Sequence, residues 1–103
     1  MEIIHGNEQN FDVLVQNDKV LVDFYANWCG PCKMLSPVLE DLASDRSDVK
    51  IVKIDVDSNP DLAKRFGVMS IPTLILFENG REVSKKQGFM PKQVLNEWVN
   101  DNN

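Results

Sequence analysis

The sequence predicts an α/β fold: a mixed central β-sheet, parallel in its first half and antiparallel in its last hairpin, sandwiched by helices. Apolar runs of strand length alternate with helical patterns in the order βαβαβα, which favours parallel strands covered by helices. Glu78-Asn79-Gly80-Arg81 then carries the strongest short-range signal for an antiparallel hairpin. No linker or internal repeat divides the chain, so residues 1–103 are expected to form one domain.

The first elements follow from apolar spacing and from helix-start residues. Ile3-Ile4 is predicted as a short strand, and Asn7 as the cap of a helix whose apolar residues recur at helical spacing. A second strand is predicted over the apolar run 20–26, and a helix follows from about Pro31 to Ala43. Pro37 lies inside that helix, where a missing backbone hydrogen bond should kink it.

Turn residues set the bounds of the later elements. Asn59-Pro60 has the pattern of a capping side chain followed by proline, and Gly67 ends the short helix predicted over 61–66. Pro91 opens a last helix with one apolar stripe. The residues of that stripe are Val94, Leu95, Trp98 and Val99. The remaining strands are predicted over 49–56, 73–77 and 83–87.

Charge and composition exclude several classes of function. The 16 acidic and 11 basic residues give a net charge of −5 and are spread along the chain, whereas a nucleic-acid surface needs clustered Lys and Arg. The pair Lys85-Lys86 is interpreted as a solvated strand edge. No apolar run reaches membrane-spanning length, and no signal peptide precedes the first strand, so the expected location is the cytoplasm.

Both cysteines of the chain, Cys29 and Cys32, lie where the second strand turns into a helix. A helix start offers unpaired N–H groups and the positive end of the helix dipole, so we expect Cys29 to ionise readily. Residues three apart at a helix start also have nearly the Cα separation that a disulfide needs. Cys29, nearer the helix tip and solvent, is the predicted nucleophile, and Cys32 is predicted to resolve the mixed disulfide.

Two other interpretations of this cysteine pair stay open. A permanent structural disulfide would close so short a loop that it adds little stability. A zinc site needs four ligands, and the chain adds only His5 to the two cysteines unless a second protomer contributes. In a reducing compartment, a lone pair with this spacing is more often catalytic or metal-binding than structural.

Asp23 interrupts the apolar run before the dithiol, in a strand expected to be buried on both faces. An unpaired buried carboxylate is costly, so Asp23 should be protonated or partnered, and it is a candidate acceptor for the proton of Cys32. Lys53 in the neighbouring strand is a candidate electrostatic partner of Asp23. The alternatives are an exposed Asp23 at the strand end and a Lys53 whose stem covers a sheet edge.

A rim around Cys29 is predicted from apolar residues with few charges, which suit brief contact with many partners. The predicted rim consists of Trp28, Gly30, Pro31, Ile71, Pro72 and Gly88. Trp28 could instead belong to the core, but its place beside an exposed cysteine argues for the rim. Trp98 is assigned to the core. The residues Met34, Met69 and Met90 are interpreted as packing residues.

Motifs spread over the whole chain carry a family likeness. They are Val22-Asp23-Phe24, Trp28-Cys29-Gly30-Pro31-Cys32-Lys33, Pro37, Lys53, Asp55, Ser70-Ile71-Pro72-Thr73, Asn79-Gly80 and Gly88. With these motifs at these separations, the chain resembles the thioredoxin family. The resemblance implies a thioredoxin fold and a cis peptide bond before Pro72. A proline there would leave the backbone of Ile71 free to pair with an extended substrate segment, although a simple strand-initiating proline is the alternative.

The resemblance also implies a reaction and its partners. The expected activity is protein-disulfide reduction without a bound cofactor or metal, with electrons from NADPH supplied through thioredoxin reductase. The implied substrates include ribonucleotide reductase, peroxiredoxins and methionine sulfoxide reductases. The protein is expected to be a monomer that binds neither nucleic acid nor membrane.

Three residues depart from the family pattern. Tyr25 stands where the family often has Trp, Gln87 replaces a residue that is usually small and apolar, and Phe89 follows Gly88 where a smaller residue is common. Since Gln87 and Phe89 lie beside the partner-contact region, the sequence predicts the reaction better than the choice of partner.

Two further classes of function compete with a general reductase. An enzyme that forms or isomerises disulfides would need an oxidising compartment, and the lack of a signal peptide and the Gly30-Pro31 pair speak against it. A non-catalytic binding module would leave both cysteines dispensable.

Overall fold

Residues 3–101 are described by a computed structural model, and they fold into five strands and four helices. The elements are β1 (Ile3–His5), α1 (Phe11–Leu14), β2 (Lys19–Tyr25), α2 (Gly30–Asp45), β3 (Val49–Asp55), α3 (Pro60–Arg65), β4 (Thr73–Glu78), β5 (Arg81–Gln87) and α4 (Lys92–Asp101). Each predicted element is present, with shifts of a few residues at its ends. Within residues 3–101, no helix combines the length and the apolar character needed to cross a membrane.

The strands form one mixed sheet in the order β1-β3-β2-β4-β5. β3 pairs in parallel with β1 and β2, whereas β4 pairs antiparallel with β2 and β5. The predicted mixed sheet is therefore confirmed. β2 lies at its centre, and residues 20–24 are buried, so this strand contributes side chains to the cores on both faces.

Two apolar cores cover the two faces of the sheet. On one face, α2 and α4 pack against the sheet through buried residues such as Leu21, Leu39 and Leu95. On the other face, α1 and α3 enclose an aromatic group, in which the ring of Phe11 lies 5.2 Å from that of Phe66 between centroids. The stripe predicted on α4 is buried except for Val94, which is 39% exposed.

The two predicted helix caps have different outcomes. The Asn7 side chain accepts hydrogen bonds from the N–H groups of Gln9 and Asn10, so it caps the turn before α1, whose own N-cap residue is Asn10. Asn59 is the N-cap residue of α3 and Pro60 follows it, as predicted, but its side chain makes no capping hydrogen bond, because its oxygen accepts instead from the N–H of Glu8. The Glu8 carboxylate in turn accepts from an N–H in the first turn of α3 at 2.9 Å. A residue distant in sequence thus supplies the cap of α3.

Residues with positive φ make the turns that the sequence predicts. Asn79 and Gly80 have φ values of 52° and 85°, as a type I′ hairpin turn requires. Gly67, with φ of 63°, ends α3 as predicted. The register of the β4–β5 pair shifts between Leu76 and Phe77, which marks a bulge. α2 continues through Pro37, and a kink at that residue stays a prediction.

Candidate active site

The two cysteines lie at the start of α2, at the carboxyl end of the central strand β2. Cys29 has an extended backbone and is the N-cap residue of α2, and Cys32 lies in the first helical turn. A disulfide joins them, with their Cα atoms 5.2 Å apart. The sulfur of Cys29 accepts a hydrogen bond from the N–H of Cys32 at 3.1 Å. This N–H and the helix dipole both stabilise negative charge on the sulfur of Cys29 when the disulfide is reduced.

The expectation that Cys29 is the exposed member of the pair is wrong for the disulfide form. Cys29 is 4% exposed and Cys32 is 3% exposed. Both pack with Ala26, and Ile71 lies against this small cluster. The two cysteines differ in position instead: Cys29 precedes the helix between exposed neighbours, whereas Cys32 lines a cavity of about 230 Å³. The cavity is lined by Tyr25, Ala26, Asn27, Cys32, Lys33, Ser36 and Lys53.

A loop with a cis peptide bond lies against the dithiol. The Ile71–Pro72 bond is cis, as the family resemblance implies. The carbonyl oxygen of Ile71 lies 3.8 Å from the sulfur of Cys29. The carbonyl oxygen of Pro72 accepts a hydrogen bond from the N–H of Gly88 at 2.8 Å, and Gly88 has φ of 88°. This hydrogen bond continues the β4–β5 pairing by one residue, up to the loop that lies against Cys29.

The residues of the predicted rim lie at different depths in the structure. Trp28 is 70% exposed, so its alternative assignment to the core is wrong, and Gly30 and Pro31 are exposed beside it. Ile71 and Gly88 are half-buried. Pro72 is buried and therefore lies beneath the rim rather than on it.

Sequence reasoning missed two residues of this surface, Asp57 and Met69. The indole N–H of Trp28 donates to the carboxylate of Asp57 at 2.8 Å, which fixes the exposed ring. Met69 is 93% exposed, so its assignment to packing is wrong, and the same is true of Met34, which is 61% exposed. Met90 is buried as predicted.

An apolar groove of about 170 Å³ is lined by Trp28, Val56, Ala63, Val68, Met69, Ser70 and Ile71. Gln87 and Phe89 are both exposed on the chain segment around Gly88.

Asp23 is fully buried in β2, as predicted. Among the residues that the structure describes, neither of its carboxylate oxygens has a hydrogen-bond partner. Burial raises the pKa of Asp23 from 3.8 to about 7, and the positive charge of Lys53 opposes that rise. The carboxyl group therefore gains and loses a proton near neutral pH.

Lys53 is only 9% exposed and lies in β3, between β1 and β2, so the alternative of a residue covering a sheet edge is wrong. Its ammonium donates to the hydroxyl of Ser36 at 2.9 Å and lies 4.5 Å from the centroid of the Tyr25 ring. Within residues 3–101, no ion pair joins Lys53 to Asp23. Lys53 thus acts on Asp23 through space rather than by direct contact.

The site and the fold define a class of protein. A helix that begins with two cysteines three residues apart, beside a cis-proline loop and on a mixed sheet, is the arrangement of a dithiol–disulfide oxidoreductase. No group of three or more His, Cys, Asp or Glu side chains that could hold a metal occurs among the described residues.

Comparison with known proteins agrees with this class. The sequence model of the family described as Thioredoxin matches residues 2–101. The chain is 53% identical to thioredoxin from Staphylococcus saprophyticus over 96% of each chain, and 50% identical to thioredoxin from Bacillus subtilis over 97% of each chain. The solved structure of a single-residue mutant of thioredoxin from Halobacterium salinarum has a TM-score of 0.90 and 42% identity, covering 98% of this chain and 90% of that one.

The chain therefore belongs to the thioredoxin family. Its activity is protein-disulfide reduction by the Cys29–Cys32 pair.

Proposed function

We propose that Cys29 is the attacking nucleophile and Cys32 the resolving thiol of a general protein-disulfide reductase. The thiolate of Cys29 attacks one sulfur of a substrate disulfide and displaces the other as a thiolate, which leaves a mixed disulfide. Cys32 then gives up its proton, attacks the sulfur of Cys29 and releases the second substrate thiol. Two electrons pass to the substrate, and the Cys29–Cys32 disulfide is formed. The observation that carries this order is the hydrogen bond from the N–H of Cys32 to the sulfur of Cys29 at the helix start.

Asp23 is the proposed acceptor of the Cys32 proton, and Lys53 the residue that moderates its charge. The support is the buried and unpartnered carboxyl of Asp23, whose pKa of about 7 suits proton exchange at neutral pH. Lys53 lines the same cavity as Cys32, and its positive charge lowers the pKa of Asp23.

Substrate proteins are proposed to bind the rim formed by Trp28, Gly30, Pro31, Ile71 and Gly88. The backbone of Ile71 precedes β4 and lies beside the sulfur of Cys29, which suits pairing with an extended substrate segment. The apolar groove beside Trp28 would take a side chain of that segment. Pro72 lies beneath the rim and supports it, because its carbonyl oxygen accepts a hydrogen bond from the N–H of Gly88.

The electrons are proposed to come from NADPH through thioredoxin reductase, without a cofactor bound to this chain. By family resemblance, the proposed substrates are ribonucleotide reductase, peroxiredoxins and methionine sulfoxide reductases. We also propose that residues 1–103 act as a single domain and a monomer in the cytoplasm.

Trapping of mixed disulfides tests the order of attack. In Cys32→Ser the nucleophile remains but the resolving thiol is lost, so substrates should stay linked to Cys29. Cys29→Ser should trap almost none, and mass spectrometry of the linked species gives both results. Equal trapping by the two variants would contradict the assignment.

Reduction of insulin with thioredoxin reductase and NADPH tests the direction of the reaction. Rapid precipitation of reduced insulin is expected with the wild-type chain. A double Cys29→Ser, Cys32→Ser variant that keeps full activity in the cell would instead favour a non-catalytic binding module. Faster oxidation of a reduced substrate than reduction of an oxidised one would favour the disulfide-forming class.

A further inference from the structure

The Lys53 ammonium is held by two side chains other than Asp23. It donates to the hydroxyl of Ser36 at 2.9 Å, and it lies 4.5 Å from the centroid of the Tyr25 ring. Ser36 follows Cys32 by four residues on α2, so both project from the same side of the helix. The contacts of the ammonium thus come from residues that line the cavity beside Cys32.

Asp23 and Lys53 are neighbours in register on parallel strands, so their side chains lie on the same face of the sheet. They nevertheless form no ion pair among the described residues, and both oxygens of Asp23 lack a hydrogen-bond partner there. An ammonium that reached the carboxylate would satisfy an otherwise costly buried charge. The ammonium instead donates to the hydroxyl of Ser36.

We propose that Ser36 is a positioning residue: its hydroxyl holds the Lys53 ammonium at the cavity beside Cys32 and apart from the Asp23 carboxyl. The carboxyl therefore keeps its proton to a higher pH than it would beside a contacting ammonium. Ser36 acts through Lys53 rather than on the reacting sulfurs. The effect that we expect on the rate of disulfide exchange depends on the proposed proton transfer to Asp23. The effect that we expect on the titration of Asp23 does not.

Other titratable groups also face Asp23 and Lys53 from the neighbouring elements. Those on β1, β2, β3 and α2 are His5, Tyr25, Asp55 and Lys33. On β4, which also pairs with β2, the residue opposite Asp23 is apolar Leu74. Burial, together with the charges of Asp55 and Asp23, raises the pKa of Tyr25 above 10.0, so its ring stays neutral in the range of interest. His5 is the single histidine of the chain and pairs in register with Lys53, so His5→Gln is the background for the test.

The direct test is the titration of the Asp23 carboxyl by carbon NMR in the oxidised protein, whose cysteines do not titrate. Ser36→Ala should free the ammonium to approach the carboxylate and lower the Asp23 midpoint by about one pH unit. Ser36→Thr retains the hydroxyl and should retain the wild-type midpoint. An unchanged or raised midpoint in Ser36→Ala would overturn the proposal.

A double-variant cycle shows whether Ser36 acts through Lys53. Lys53→Met removes the positive charge and should raise the Asp23 midpoint. In that background, Ser36→Ala should cause no further change, because no ammonium remains to be positioned. If Ser36→Ala still moves the midpoint, Ser36 acts by another route and the proposal fails.

Kinetics separate this inference from the proposed proton transfer. The pH profile of insulin reduction by Ser36→Ala should move in the same direction and by the same amount as the NMR midpoint. An NMR midpoint that moves while the kinetic profile stays fixed would leave the placement of Lys53 by Ser36 intact. The same result would remove Asp23 as the proton acceptor.

Discussion

The two faces of the sheet differ in what they bury. On the face covered by α1 and α3, the rings of Phe11, Phe66 and Phe77 pack at tilted and edge-to-face angles in an apolar core. The face covered by α2 and α4 is also apolar at its middle, but toward the dithiol it buries Asp23 and Lys53. The first face has the composition that stabilises a fold, and the second carries at one end the groups that cost stability.

On the face covered by α2 and α4, the buried side chains of β2 and β3 change from apolar to ionisable within two residues. Leu21 and Asp23 are successive residues of β2 on the same face, and both are fully buried. The partners of these residues on β3 are Ile51 and Lys53. Because the strands are continuous through this point, the packing of Leu21 and Ile51 also fixes the position of Asp23 and Lys53 on the sheet. The same two strands thus supply the rigid apolar core and, two residues further along, the buried ionisable groups.

The largest expected effect is on the aromatic face, and it should leave the chemistry untouched. Phe11→Ala removes a buried ring that contacts two others, so it should lower the free energy of unfolding by about 3–5 kcal/mol. Urea unfolding of the oxidised protein measures this loss. The rate of insulin reduction per folded molecule should stay at the wild-type value, because no group of the dithiol end changes.

A matched control for Phe11→Ala lies on the same helix. Val13 is 70% exposed, so Val13→Ala should change the free energy of unfolding by no more than about 0.5 kcal/mol. Slower insulin reduction by fully folded Phe11→Ala would mean that the two faces are coupled, and the comparison between them would break down.

The second effect is a stabilisation at the reactive end that depends on pH. The pKa of Asp23 is raised by burial to about 7 in the folded protein, against about 3.9 in an unfolded chain. The folded state therefore binds the proton more tightly. This tighter binding adds on the order of 4 kcal/mol to the free energy of unfolding. The contribution is fully present below about pH 4 and is lost as pH rises to about 7. Asp23→Asn removes the buried charge, so its advantage in free energy of unfolding should grow between pH 4 and pH 7 and then level off.

Urea unfolding of oxidised Asp23→Asn and wild type from pH 4 to pH 9 measures this difference. Asp41→Asn, an exposed carboxylate on α2, is the control and should show no such growth with pH. Asp23→Asn should also slow disulfide exchange, because Cys32 loses the proposed proton acceptor. A stability difference that stays flat with pH would mean that the Asp23 carboxyl does not hold a raised pKa.

The smallest effect concerns the edge of the partner surface. Gln87 is exposed beside Gly88, so Gln87→Val should make the rim more apolar and raise kcat/KM for protein substrates by about two-fold. The rate with a small disulfide should not change, since such a substrate reacts at Cys29 without contacting Gln87. Glu82→Val, exposed on the same strand, is the control. Equal effects on protein and small substrates would mean that Gln87 acts on the dithiol itself.

The sequence predicts those features that depend on residues near one another in the chain. The dithiol at a helix start follows from Cys29 and Cys32, the hairpin follows from Asn79-Gly80, and the burial of Asp23 follows from the apolar run around it. In each case the cause is a local preference of backbone or side chain. The cis bond before Pro72 is predicted only by the family motif, because single-residue preferences favour trans.

The features that the sequence does not predict are contacts between distant segments. Ser36 meets Lys53 across 17 positions and Trp28 meets Asp57 across 29, and no spacing rule connects either pair. The cap of α3 by Glu8 and the exposure of Met69 depend in the same way on how the elements pack. The parts of the site that tune the dithiol, rather than supply it, therefore become visible only in the folded chain.

The free edge of the sheet at β5 has a consequence for solubility. A protein proposed to accept extended segments of many partners beside Ile71 also exposes a strand edge, to which other chains could add without limit. β5 carries the exposed charged residues Arg81, Glu82 and Lys86. The bulge at Leu76 and Phe77 distorts the hydrogen-bond pairing between β4 and β5. Both features are known to discourage edge-to-edge aggregation. The fold can thus resist edge-to-edge aggregation while the segment at Ile71 remains available for the proposed strand pairing.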